Sequence, residues 1–166
     1  MGGGSLGATP SYAGSRYGFD SPAEEAGHKP LTKYNDESDD NKPKVFISYH
    51  TSDLGPARLL GHQLEDEKYN VNAIDNSPKV RYRGNWHKPM DKDIKGSDAV
   101  FVVVGKKTHD RKAVEWEVRT AARYGKPVYA VKIDSGNEVP QAVYDAGGKV
   151  ISWDLDRIKY EVHYNT

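Results

Sequence analysis

The apolar positions of the chain change period several times, and each change predicts an element. Residues 44–49 (KVFISY) form a short β-branched run that Pro43 introduces and the turn-prone His50-Thr51-Ser52-Asp53 closes, the pattern of a buried strand. Ala57, Leu60 and Leu64 then recur at i, i+3 and i+7. This predicts a helix capped by Ser52 or Asp53, with Pro56 in its first turn and its end near Lys68. Residues 71–74 read as a second strand, and the polar, basic stretch 75–96 as a loop holding a short helix after Pro89. Residues 98–105 (DAVFVVVG) carry the strongest strand signal, apolar without alternation, as in a central parallel strand covered on both faces. A helix over 111–124 follows, stopped by Gly125 and Pro127. Residues 127–133 (PVYAVKI) predict a fourth strand, 139–146 a short helix and 149–153 a fifth strand, with a last amphipathic helix carrying Leu155, Ile158 and Val162.

Strand and helix thus alternate throughout. Right-handed crossovers make this an α/β fold, a three-layer flavodoxin-like sandwich around a five-stranded parallel sheet of order 2-1-3-4-5. Pockets in such sheets open at the carboxyl ends of the strands. For the first three strands those ends are Tyr49-His50, Asp75-Asn76 and Gly105-Lys106.

Composition narrows the picture. The 36% hydrophobic content is low for 166 fully packed residues. Residues 1–42, with Gly2-Gly3-Gly4, Ser38-Asp39-Asp40 and three prolines, show no apolar periodicity and are expected to be a disordered tail, leaving 43–166 as one domain. The tail holds seven acidic and four basic residues; since the chain sums to zero, 43–166 carries +3, too little to suggest a nucleic-acid partner. Cysteine is absent, which excludes disulfides and thiolate chemistry. No stretch approaches the ~20 apolar residues of a membrane span, and Leu6 stands where a myristoylation signal wants Ser or Thr. A cytoplasmic location away from membranes is the expectation.

No GxGxxG, P-loop, GxSxG or paired His at metal-ligand spacing is present, and a lone His such as His50 or His109 reads first as a loop residue. On the helix 111–124, a 100° wheel gathers Val114, Val118, Ala121 and Ala122 on the arc facing the sheet. Glu115 and Glu117 fall at its edges and Trp116 points away, toward a contact surface. By the wheel alone Glu117 is a solvated carboxylate beside a cleft.

Two segments carry a family resemblance. Val45-Phe46-Ile47-Ser48-Tyr49, followed by Asp53, resembles the first signature of Toll/interleukin-1 receptor (TIR) domains. Val114-Glu115-Trp116-Glu117-Val118, with Ala121 and then Gly125-Lys126-Pro127-Val128, is similar to the family's third helix. Thr108, after the Val-Gly ending of the third strand, matches the TIR-like branch of bacterial Thoeris antiphage systems. The resemblance covers about 44–134. Two departures stand out: Ala113 occupies the place where many NAD-cleaving members have Trp, and Asp75-Asn76-Ser77-Pro78 replaces an Arg-Asp and Pro-Gly signature, as is usual in the Thoeris-like branch.

The resemblance implies an enzyme that cleaves the nicotinamide–ribose bond of NAD to ADP-ribose or a cyclic isomer in antiphage defence, with Glu117 as catalytic carboxylate. NAD is then a substrate, and neither cofactor nor metal is called for. Ser48, Tyr49, His50 and Asp75 would complete the substrate pocket, a ring of Tyr49 or His50 stacking on nicotinamide; strand-end packing and capping would explain the first three equally well. The cations and rings of Lys79, Arg81, Tyr82, Arg83, Trp86 and Lys88 suit a diphosphate or adenine but also suit a solvated loop. Expected partners are NAD, a second copy or a trigger protein, and a downstream effector responding to the product. Two other readings stay open: a non-catalytic adaptor acting by self-association, and a nucleoside deoxyribosyltransferase-like enzyme.

Overall fold

The computed structural model describes residues 41–74 and 86–166. The tail expected over 1–42, except its last two residues, lies outside these, as do Asp75, Lys79, Arg81, Tyr82 and Arg83. Five strands, β1 (Lys44–Tyr49), β2 (Asn72–Ile74), β3 (Ala99–Val104), β4 (Val128–Lys132) and β5 (Lys149–Ser152), form one parallel sheet in the order β2-β1-β3-β4-β5. The helices are α1 (Leu54–Glu65), α2 (His87–Lys95), α3 (Lys112–Arg123), α4 (Gln141–Asp145) and α5 (Leu155–Tyr164), with a 3₁₀ turn at Thr51–Asp53. This is the flavodoxin-like order the alternation predicts.

The period of two along each strand sorts the core into two layers. Phe46, Val100, Val102, Val104, Val128 and Ala130 pack under α2, α3 and α4. Val45, Ile47, Tyr49, Phe101, Val103, Tyr129 and Val131 pack under α1 and α5. All six residues of β3 are buried, which explains its continuous apolar run. Each valine or phenylalanine among them contributes about 1.5–3 kcal/mol on leaving water.

Local chemistry ends the elements. Gly125 sits at φ 66° just past α3, its N–H donating to the Ala122 carbonyl (3.0 Å) while the Lys126 N–H donates to that of Ala121 (2.9 Å), a Schellman arrangement. Asp154 caps α5, accepting from the N–H groups of Asp156 and Arg157. Three boundaries differ from expectation. Asp53 takes the N-cap position of α1, but its side chain turns inward to Thr108 and makes no capping bond; the side-chain cap here is that of His50 on the preceding 3₁₀ turn. Helix α1 stops at Glu65, where the chain turns through Asp66, rather than near Lys68. Helix α2 starts at His87, so Pro89 lies within its first turn, where its missing N–H costs nothing.

At the amino end of the sheet a buried carboxylate is met by two exposed cations. Glu161 on α5 is 1% exposed, with Lys149 Nζ at 2.9 Å and Arg157 at 2.6 Å, while Asn165 Nδ2 donates to it at 3.1 Å. Burial pushes the Glu161 carboxyl up, but the Lys149 hydrogen bond and charge, with Arg157, outweigh it and hold the group below the usual range. The Tyr129 hydroxyl donates to the Glu161 carbonyl, and burial first, then the Glu161 charge, pushes this phenol up to about 12.

Candidate functional site

Ser48 follows Phe46 at strand period, so its side chain leaves β1 on the face covered by α3. Helix α3 buries Val114, Glu117, Val118, Thr120 and Ala121. Glu117 therefore stands inside the i, i+3, i+4, i+7 stripe rather than at its edge. The Ser48 hydroxyl donates to Glu117 Oε2 at 2.5 Å, and both residues are 0% exposed. The contact joins β1 directly to α3 within the buried layer. A buried carboxylate without good donors is costly, so this partner matters for the fold as well as for any chemistry.

The wheel reading is corrected at three positions. Glu117 is buried rather than solvated, Ala122 is exposed rather than facing the sheet, and the surface Trp116 contacts belongs to this same domain. The cause is α2, which packs along α3 and turns the buried arc toward it. Trp116 is half-buried there, edge-on to Trp86 (centroids 5.2 Å) and His87 (4.8 Å), while Trp86 and His87 stack at 3.8 Å. Arg123 of α3 and Tyr124 just past it add a second tie by reaching Asp91 of α2, the tyrosine hydroxyl donating at 2.7 Å.

The remaining candidates disperse. Tyr49, one residue past Ser48, projects to the opposite face, where its ring is 2% exposed among the residues under α1 and α5. His50 is half-buried in the turn after β1, its Nδ1 accepting the Ser52 N–H at 3.0 Å, so a neutral ring carries its proton on Nε2. Asp75 lies outside the described residues.

Sequence reasoning singled out Asp53 and Thr108 as family-signature positions, the first also as a cap, and did not foresee that they form a second buried polar pair at the same end of the sheet. Asp53 is 8% exposed and Thr108 0%. Thr108 Oγ1 donates to Asp53 Oδ2 at 3.0 Å and accepts the Gly105 N–H at 2.9 Å, tying the turn after β1 to the turn after β3. The Asp53 carboxylate lies against Gly105, where an added Cβ would meet all three carboxyl atoms within 2.4 Å. A glycine closing an apolar strand, with a hydroxyl three residues on, was the available signal. Among the described residues no group of three or more His, Asp or Glu could hold a metal ion.

The family model for the Thoeris protein ThsB, TIR-like domain, matches residues 46–138. The chain belongs to the Thoeris ThsB TIR-like family. That places it among the TIR domains of antiphage defence. The ThsB TIR-like match runs from β1 into the loop after β4 and includes Ser48, Asp53, Thr108 and Glu117, while β5 and α5 complete the sheet beyond it. No curated protein matches. Among solved structures, the chain is similar to a 2-deoxyribosyltransferase from Bacillus psychrosaccharolyticus, with 18% identity and a TM-score of 0.53 over 70% of this chain and 90% of that one. It is also similar to a conserved protein from Enterococcus faecalis V583, with 16% identity and a TM-score of 0.53 over 75% of this chain and 99% of that one. At these identities the likeness is one of fold alone. Among the described residues no helix is long and apolar enough to cross a membrane.

Proposed function

We propose that this ThsB TIR-like domain cleaves the nicotinamide–ribose bond of NAD, with Glu117 as the catalytic carboxylate. The observation that carries the reading is a fully buried carboxylate held by Ser48 at the carboxyl end of the sheet, on the helix where the TIR resemblance expects the catalytic Glu. The bond in question joins ribose C1′ to a cationic pyridinium. On cleavage its electron pair goes to nitrogen and nicotinamide leaves neutral, so no general acid is required. An anion beside the forming oxocarbenium ion is required, and a carboxylate shielded from water acts on that cation at full strength. Ser48 would orient the carboxylate. Water adding at C1′ and losing a proton gives ADP-ribose; an atom of the substrate adding instead gives a cyclic isomer. NAD is the substrate and no resident cofactor takes part.

Burial has a consequence for access. Glu117 meets no solvent, so ribose reaches it only after the surrounding packing opens, and assembly with a second copy or a trigger protein is the event we propose for that opening. The product would then act on a downstream effector. The test is nicotinamide release from NAD by the purified chain at high concentration, with and without a crowding agent, against Glu117→Gln. Release lost in that variant supports the reading, and chromatography of the product separates hydrolysis from cyclisation. Release of free base from a deoxynucleoside, with NAD untouched, would instead favour a deoxyribosyltransferase-like activity.

The same closed carboxylate, together with Ala113 in place of Trp, favours a second reading: a non-catalytic adaptor working through self-association. Concentration-dependent association that survives Glu117→Gln, with no turnover in either form, would establish it.

A further inference from the structure

We propose that Asp53 and Thr108 are positioning residues for Glu117: their hydrogen bond clamps the strand end that carries Ser48 to the start of the helix that carries Glu117. The proposal rests on the reading of Glu117 as the catalytic carboxylate.

The clamp is continuous on both sides. From Thr108, its carbonyl accepts the Arg111 N–H at 3.3 Å, and the Arg111 carbonyl accepts the Glu115 N–H at 2.9 Å, two residues before Glu117. From Asp53, its N–H donates to the His50 carbonyl at 2.7 Å, two residues beyond Ser48. Ser52 Oγ adds a contact to Asp53 Oδ1 at 3.3 Å. The chemistry allows little slack. Thr108 has one hydroxyl proton, and Asp53 Oδ2 at 3.0 Å competes for it only with the Val103 carbonyl at 3.4 Å. Its lone pair takes the Gly105 N–H, so one side chain joins the turn after β3 to the turn after β1. Gly105 lets the carboxylate approach, since any Cβ there would displace it.

The clamp does not touch Glu117, so its effect on turnover would come through geometry. Displacement of a catalytic group by about 1 Å costs on the order of a hundredfold. Ground-state affinity for NAD, spread over the whole dinucleotide, should change little. The loss is therefore expected in kcat rather than KM.

The experiment compares the full chain with Thr108→Ser, which keeps the hydroxyl, and Thr108→Val, which keeps the shape without it. For nicotinamide release, Thr108→Val should lose about tenfold to a hundredfold in kcat with KM within about twofold, and Thr108→Ser should stay within about threefold of the parent. Retained kcat in folded Thr108→Val, a loss confined to KM, or equal losses in both variants would overturn the proposal. Amide hydrogen exchange over 112–117 gives a readout independent of NAD. Thr108→Val should exchange there at least about tenfold faster than Thr108→Ser, a loss of about 1.4 kcal/mol of local stability. Equal exchange overturns the clamp even if NAD is turned over. If the parent releases no nicotinamide, the NAD reading fails by itself and exchange alone decides the clamp. Should Thr108→Val fail to fold, Thr108→Ala, which leaves room for water on Asp53 Oδ2 and the Gly105 N–H, carries the same expectations.

Discussion

Replacing Gly105 by alanine sets a methyl carbon 2.3 Å from Asp53 Oδ1 and 2.4 Å from its Cγ and Oδ2. Ordinary contact begins near 3.5 Å, so roughly 1 Å of overlap must be relieved. The backbone is not the obstacle, because the glycines at positive φ among the described residues are Gly125 and Gly147. Alanine at a permitted φ should even stabilise by about 0.4–1 kcal/mol through the unfolded chain. Relief therefore falls on Asp53, which has to swing away from Thr108 and give up a charge-assisted bond worth about 1.5–3 kcal/mol. The net expectation is a loss of about 1–2 kcal/mol, read from urea unfolding followed by tryptophan emission. A double-mutant cycle sharpens it. In an Asp53→Ala background the methyl meets no carboxylate, so Gly105→Ala should be neutral or slightly stabilising, leaving a coupling of about 1.5–3 kcal/mol between the two sites. Costs that add within about 0.5 kcal/mol would refute the steric account and, with it, the packing of Asp53 against Gly105.

Three further outcomes are expected. The Tyr129 phenol, held up to about 12, contributes stability that is present below the ordinary tyrosine pKa near 10 and is lost as pH rises toward 12; ultraviolet titration should show a late phenol near that value which Tyr129→Phe removes. Glu161, held below the usual range, contributes stability that is present above about pH 4.5 and lost as pH falls through its folded value; Glu161→Gln should flatten the acid limb of the unfolding profile, and an unchanged limb would show that Lys149 and Arg157 do not hold the charge. Gly125→Ala, at φ 66°, should cost about 1 kcal/mol in urea while Gly125→Asn costs less, and equal midpoints for both would contradict the left-handed cap.

The elements were legible because their signals were local. The unbroken AVFVVV of β3 reads as a doubly covered strand from its own composition, and Gly125-Lys126-Pro127 ends α3 by backbone chemistry alone. Glu117 was found through family resemblance, while its burial was not legible. A helical wheel sees one buried arc and one free arc, whereas α3 is bordered by both the sheet and α2, and that neighbour comes from elsewhere in the chain. The same neighbour explains Trp116 and Ala122. Asp53 was read only in part for a related reason: four residues after a strand it holds the N-cap position as expected, and only the approach of Gly105 and Thr108, more than fifty residues away, draws its side chain inward and away from capping. Ser48 and Tyr49 were grouped because they adjoin, although strand alternation sends adjacent side chains to opposite faces.

Two of the chain's three tryptophans lie together in the ring group between α2 and α3, and the third, Trp153, is on the other side of the sheet with its indole N–H on Gln63. Trp116 is the immediate neighbour of Glu117 on α3, so a shift of that helix which opens the carboxylate to a substrate moves an indole with it. Indoles 5.2 Å apart share their excited states, and their near-ultraviolet dichroism depends steeply on mutual angle. In a Trp153→Phe background the chain would thus hold an optical gauge of its own opening, one that works without a label, a substrate or any knowledge of the product.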